Sequence, residues 1–380
     1  MRIFHLGAWN RNYGDWAIQR VVRGLLSDLG EPYEIIDLDS QRTVFDDALI
    51  AEINSNGDLL IVGGGGLIFN RPEDNSQSGW QFNISEGGLR TLATPVMGLS
   101  LGYNRFPYDP HPVPKALASH FSTFVDVAMR VSVRNQGSLD RLSEIGVEGL
   151  SKVSVVPDPV AAYPLIEPCR ELLTLMGIEL GQPIIGLNLA GDRLDHRFGP
   201  DWKWRSLGMV EALAETLRGI VEKSHAKVVS LPHLDKIDNM DELLEPIRRS
   251  LEDSFVEPDQ LVESYFPPQS GTVNLLASLY RLSAVNVGMR GHAGILSFSQ
   301  GRPFVYVGDH PKGSYFATDV GHPEWSLSTD AFLHNDRLFD TLEAILRDRS
   351  GLEATLAEKK TSVSHGVKEY LRNTIREVRT

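Results

Sequence analysis

Arg290 and His292 stand two positions apart in the run Val287-Gly288-Met289-Arg290-Gly291-His292-Ala293-Gly294-Ile295-Leu296. The apolar stretch Ala284 to Val287 predicts a short buried strand, and Ala293 to Phe298 predicts the first turns of a helix. The two side chains therefore fall in a strand-to-helix turn, where the free N–H groups of a helix start favour an anion. The arginine adds a bidentate clamp for phosphate or carboxylate. The histidine adds a group that gives or takes a proton near neutral pH. A clamp and a proton donor are what transfer from an anionic donor requires. The plain alternative is a loop arginine paired with a surface acid, and a histidine that serves the helix cap.

Other chemistry-bearing segments also follow predicted strands. Asn12-Tyr13-Gly14-Asp15 joins the strand Ile3 to Leu6 to a helix. There Gly14 leaves room for a ligand, and Asp15 offers a hydroxyl contact or a base. As an N-cap alone, Asp15 contributes about 1 kcal/mol to the helix. Gly63 to Gly66 follows the strand Asp58 to Val62. Four glycines in a row surrender much chain entropy, so a close approach or a tight turn should require them. A dinucleotide fingerprint needs a third glycine where Ile68 stands, and no phosphate loop ending in GK[ST] occurs.

Arg134 ends the strand Arg130 to Arg134 and is a second candidate clamp, with a salt bridge as the even alternative. Asp158, between Pro157 and Pro159, orients Arg134 or caps a loop, a structural role in either case. His233 ends another strand and reads as a structural histidine or a substrate contact. Lys312, in Asp309-His310-Pro311-Lys312 at the end of a strand, adds positive charge to the cleft or is an ordinary surface lysine.

The chain must be large enough to position these groups, and its 380 residues predict two domains. It is 42% hydrophobic and 23% charged, as in globular proteins with full cores. A net charge of −13 argues against nucleic acid as the main partner. The single cysteine, Cys169, makes no internal disulfide, and no Cys/His cluster has zinc spacing. No signal-peptide core follows the initial Met, and no apolar run is long enough to span a membrane. The expected setting is cytoplasmic, with peripheral contact at the inner membrane face where an anchored substrate would lie.

Strand and helix signals alternate throughout. The first half has strands at Ile3 to Leu6, Tyr33 to Leu38, Asp58 to Val62, Pro95 to Leu101, Arg130 to Arg134 and Val153 to Val156. The first helix carries Ala17, Ile18, Val21, Val22, Leu25, Leu26 and Leu29 on one face, with Asp15 as its expected N-cap. The strands are apolar throughout, which suits parallel sheets covered on both sides. Four prolines between Pro157 and Pro168 mark a crossing, after which the alternation resumes from Ile184. The predicted fold class is α/β: two Rossmann-like, doubly wound domains facing a cleft, spanning residues 1–163 and 164–345. A charged C-terminal helix, within 346–380, packs across both.

Taken in order, these segments resemble the polysaccharide pyruvyl transferase family. The resemblance rests on N-x-G-D, GGGG, S-x-R-x-x-x-S, P-D-P, L-P-H and R-x-H, followed by P-x-x-x-x-x-D-x-x-K, and covers roughly residues 3 to 322. Here Gly291 and Ala293 stand where the family usually has Leu and Gly. The resemblance implies a fold like that of GT-B glycosyltransferases. It also implies transfer of the enolpyruvyl group of phosphoenolpyruvate to a sugar of a bacterial surface polysaccharide or its precursor, forming a pyruvate ketal.

Under that reading His292, Arg290 and Asp15 are the catalytic candidates. Arg134, Arg290, Gly291, His292 and Lys312 bind the donor in the C-terminal domain. Asn12, Gly14, Asp15, Gly64 and Gly65 face the acceptor in the N-terminal domain. No cofactor and no metal are expected, and the acceptor's lipid linkage and the oligomeric state stay open. Two alternatives remain: a GT-B glycosyltransferase using a nucleotide sugar, and a non-catalytic glycan or sugar-phosphate binder.

Overall fold

The structure, a computed structural model, describes residues 1–9, 12–30, 32–69, 77–234, 239–258, 271–333 and 336–380. Among them, two parallel six-stranded sheets with flanking helices form the frame. The first contains β1 (Arg2–Gly7), β2 (Glu34–Asp39), β3 (Leu59–Ile68), β4 (Val96–Tyr103), β5 (Arg130–Val133) and β6 (Val153–Val155), in the order β2-β1-β3-β4-β5-β6. The second contains β7 (Ile184–Asn188), β8 (Lys227–Ser230), β9 (Phe255–Val256), β10 (Val285–Gly288), β11 (Phe304–Val307) and β12 (Ser326–Leu327), in the order β12-β11-β10-β7-β8-β9.

Both sheets are doubly wound. The strand order reverses between β1 and β3 in the first, and between β7 and β10 in the second. Such reversals open a crevice at the carboxyl ends of the strands. Central strands such as β7 and β10 are buried along their whole length, as their unbroken apolar runs require. The edge strands β9 and β12 escape the sequence pattern because each is two residues long.

Three local features depart from expectation. The first helix, Tyr13–Ser27, is capped by Asn12, whose side chain accepts from the Gly14 N–H at 2.9 Å. Asp15 is therefore not the cap. It lies in the first turn, where its charge complements the positive helix end. Secondly, β3 does not stop at Val62 but runs through the glycines to Ile68. Gly63, Gly64 and Gly65 have φ of +125°, +75° and +103°, and pairing with β4 shifts register beyond them. Thirdly, the helix after Arg290 is Gly291–Ser299, so His292 belongs to its first turn.

One face of the first sheet and its first helix share a continuous apolar core with the second half, while the opposite face has its own core around Trp80, Phe82 and Phe124. The C-terminal helix, Arg349–Val378, touches both halves. Its Tyr370 hydroxyl donates to Gly98 O at 3.2 Å, and Glu377 pairs with Arg130 at 2.8 Å. Nearer its start, Glu353 pairs with Arg302, and Lys360 donates to Ser299 O at 2.5 Å. No helix among the described residues is long and apolar enough to cross a membrane.

Candidate active site

The crevice between β7 and β10 holds the charged residues. Beyond β10, Met289 N–H still donates to Asn188 O at 2.9 Å, so the chain leaves the sheet alongside β7. Arg290 follows in extended conformation and caps the helix Gly291–Ser299 without a side-chain bond to it. Its guanidinium instead pairs with Asp192, in the loop after β7. Arg197 stands 3.6 Å from the same carboxylate oxygen. Burial pushes Arg290 down to about 10, against the pull of Asp192. It therefore remains charged at neutral pH, and its Nε is buried with no partner. Burial pushes Asp192 up, but Arg290, Arg197 and Arg193 outweigh this and hold its carboxyl below the usual range.

His292 faces the crossing between the sheets. Its Nε2 lies 3.5 Å from Asp158 Oδ2. Arg134 Nη1 lies 3.5 Å from the same oxygen. The other carboxylate oxygen accepts from the Val160 N–H at 3.0 Å. Asp158 thus caps its loop and orients Arg134, the two structural roles its sequence context offers, and it lies beside His292 as well. Burial pushes its carboxyl up, but His292 and Arg134 overcome this and keep it below its ordinary value. Arg134 itself is 4% exposed, and its Nε and Nη2 are buried without partners. Gly102 makes this possible, since a Cβ there would collide with the guanidinium.

Gly14 plays the same part for His292: a side chain at Gly14 would overlap the imidazole. The first helix can therefore press its N-terminus against the second half. Tyr13 N–H donates to His233 O at 3.0 Å, and Asn12 bridges to Leu234. Asp15 in that first turn acts electrostatically on both Lys312 and Arg290.

Lys312 lies in the first turn of the helix Pro311–Asp319, with its side chain over Gly291. Burial and the nearby Arg134, Arg197 and Arg290 drive its ammonium well below the usual lysine range, with Asp15 opposing them. His310 caps that helix, its Nδ1 accepting from the Lys312 N–H at 3.2 Å. Burial and the surrounding cations keep His310 neutral. Its Nε2 must then carry the hydrogen, and that buried donor has no acceptor. His233 is likewise neutral through burial, its Nε2 2.8 Å from the Tyr280 hydroxyl.

Two helix N-termini, four basic side chains (Arg134, Arg197, Arg290, Lys312) and three carboxylates (Asp15, Asp158, Asp192) converge here. Basic side chains are concentrated here in a chain whose net charge is −13. Such a site favours a small anion. Two cavities meet at the wall formed by Gly291, His292 and Lys312. One, of about 270 Å³, reaches Arg134 and Asp158. The other, of about 30 Å³, is lined by Arg290, Arg197, His233, His310 and Asn12. No three His, Cys, Asp or Glu side chains among the described residues are grouped to hold a metal.

The structure thus gathers Arg290, His292, Gly291, Arg134, Lys312, Asn12, Gly14 and Asp15. Gly64 and Gly65 line neither cavity. The space beside each is filled by Ile18 of the first helix, although Gly65 also approaches the Asp15 carboxylate. Asp192 and Arg197 are additions. Asp192 has a signal, since Gly191-Asp192-Arg193 follows β7 as Gly14-Asp15 follows β1, but Arg197 has none.

No curated protein is significantly similar to this sequence. Solved structures of similar fold include a glycosyltransferase from Rickettsia africae, with TM-score 0.59 and 10% identity over 99% of this chain and 98% of that one. The UDP-GlcNAc 2-epimerase of Neisseria meningitidis has TM-score 0.52 and 11% identity over 99% and 100%. That of Methanocaldococcus jannaschii has TM-score 0.53 and 11% identity over 91% and 93%. These likenesses establish the fold, a GT-B-type pair of Rossmann-like domains. Residues 12–311, most of the chain and all of the charged cluster except Lys312, match the polysaccharide pyruvyl transferase family, and the chain belongs to that family.

Proposed function

We propose that the cluster transfers the enolpyruvyl group of phosphoenolpyruvate to two hydroxyls of a sugar, making a pyruvate ketal on a surface polysaccharide or its precursor. Phosphoenolpyruvate carries a phosphate and a carboxylate, and the site offers two separate arginines for them. Arg290, with His310 and Lys312, takes the phosphate in the smaller cavity. Arg134 takes the carboxylate through Nε and Nη2. Those two buried, unpartnered N–H groups beside the His292–Asp158 pair carry this reading, because desolvated donors left unpaired are costly without an anion to meet.

His292 gives a proton to the enol methylene, and Asp158 stabilises the charged imidazole before the transfer. The central carbon becomes electrophilic, one sugar hydroxyl attacks, phosphate leaves and the second hydroxyl closes the ketal. Asp15 balances Lys312 and Arg290 from the opposite half. No cofactor enters this scheme. The reaction would run in the cytoplasm, where the donor is made, at a membrane surface if the acceptor is lipid-linked. Incubating the protein with phosphoenolpyruvate and candidate acceptors tests it. Mass spectrometry should find an acceptor carrying a pyruvate ketal, with phosphate released in equal amount. Sugar transfer from a nucleotide sugar under the same conditions would replace this reading with the glycosyltransferase one.

A further inference from the structure

The larger cavity extends beyond any place the donor's carboxylate needs. Its floor is polar, formed by Arg134, Asn135, Asp158, His292 and Lys312. Its walls are apolar: Val155, Pro157, Ile295, Phe316, Val320 and Val363. Its rim is exposed and set by Asp319, Lys359, Ser362 and Gly366. Three parts of the chain build it: the segment leaving the first sheet, the helices after β10 and β11, and the C-terminal helix Arg349–Val378. A Cβ at Gly366 would meet nothing within 4 Å, so that side of the helix is open.

This graded lining narrows the occupant. An ion alone would leave the apolar walls facing water, and a hydrocarbon would strip the floor of its polar partners. A sugar ring satisfies both, with its C–H face along Phe316 and the aliphatic walls and its hydroxyls on the floor. We propose that this cavity is the acceptor subsite, taking a saccharide residue whose hydroxyl pair points down to His292 and Asp158. The proposal rests on the pyruvyl-transfer reading. It moves the acceptor from the Asn12–Asp15 and Gly64–Gly65 segments to the groove beside the C-terminal helix.

The chemistry balances at this floor. Two C–O bonds form to the central carbon, while its C=C π bond and its bond to the phosphate oxygen break. Of the two hydroxyl protons, one ends on the methylene carbon, which becomes a methyl group. The other leaves with orthophosphate, and nothing is oxidised or reduced. His292 can pass the first proton because it touches both the cavity and Asp158.

Gly366→Phe and Ser362→Tyr each fill the mouth from an exposed helix position, without displacing a core side chain. Two measurements run on the parent and both variants. One is thermal shift with phosphoenolpyruvate. The other is saturation-transfer NMR with the methyl glycosides of glucose, galactose, mannose, N-acetylglucosamine and N-acetylmannosamine. At least one glycoside should receive saturation from the parent, and both variants should weaken its binding by about tenfold or more. The phosphoenolpyruvate shift should stay unchanged in both. Glycoside binding retained by the variants overturns the proposal, as does binding of no glycoside by the parent. Loss of the phosphoenolpyruvate shift in both variants also overturns it, because the cavity then belongs to the donor. Absence of that shift in the parent defeats the pyruvyl reading instead, and the glycoside result still decides what the cavity holds.

Discussion

At the carboxyl end of the first sheet, β3 carries Gly63, Gly64 and Gly65 at positive φ, and Gly14 opens the neighbouring helix. At the corresponding end of the second sheet, the crevice carries Arg290, Asp192, Arg197, His292 and Lys312. The two ends make a site by opposite means. One removes side chains, so that the first helix packs on β3 through Ile18 and reaches His292. The other supplies charge and two helix N-termini. The glycines therefore bring the halves together, and the charged residues line the space between them.

This contrast predicts opposite phenotypes. His292→Gln preserves most of the volume beside Gly14 but cannot deliver a proton near neutral pH. It should lower turnover by about 10²–10⁴-fold and leave the melting temperature nearly unchanged. A variant within a few-fold of the parent would make His292 a binding residue. Gly64→Ala should do the reverse. A Cβ at a φ of +75° costs about 1–2 kcal/mol, and overlap with Ile18 adds about 1–3 kcal/mol. Chemical denaturation should show that loss, while the folded fraction binds phosphoenolpyruvate as the parent does. If stability holds and donor binding fails, Gly64 touches ligand and the contrast collapses.

The buried histidines sharpen the comparison further. His5 and His120 belong to the first half, and burial lowers both from 6.5 to about 4. His120 accepts from Trp80 Nε1 at 2.9 Å and meets Ile84 O at 2.9 Å, so its ring is fully engaged in the core. For a group whose folded value is depressed, the unfolded chain binds the extra proton first. The stability that each contributes is complete above pH 6.5 and is lost as pH falls toward 4, by up to about 3 kcal/mol each. Urea midpoints should decline across that window, and less steeply in His120→Gln. An equal decline in that variant would assign the acid sensitivity to other groups.

Arg290 and His292 stand out in the sequence because they follow an unmistakable buried strand. The sequence is silent on Asp192 as the partner of Arg290, since 98 residues separate them and only the parallel pairing of β7 with β10 brings them together. Glycine runs are ambiguous for a related reason. The missing Cβ looks the same whether a ligand or Ile18 takes its place. The cap is ambiguous in the sequence because Asn12 and Asp15 are both good caps three residues apart, and the choice depends on where the first turn closes. Asp158 looks structural in the sequence, and its approach to His292 exists only because the crossing segment meets the helix after β10.

Arg134 and Arg290 as a two-point clamp for one small molecule carrying a phosphate and a carboxylate form the centre of this account. Thermal shift of the parent, Arg134→Ala and Arg290→Ala with phosphoenolpyruvate and, separately, UDP tests it most directly. Phosphoenolpyruvate should stabilise the parent by about 2.7 kcal/mol at 100 times its Kd, and each variant should lose most of that gain. UDP should leave all three unmoved. Stabilisation by UDP with no response to phosphoenolpyruvate would contradict the account, and would assign the charged crevice to a nucleotide.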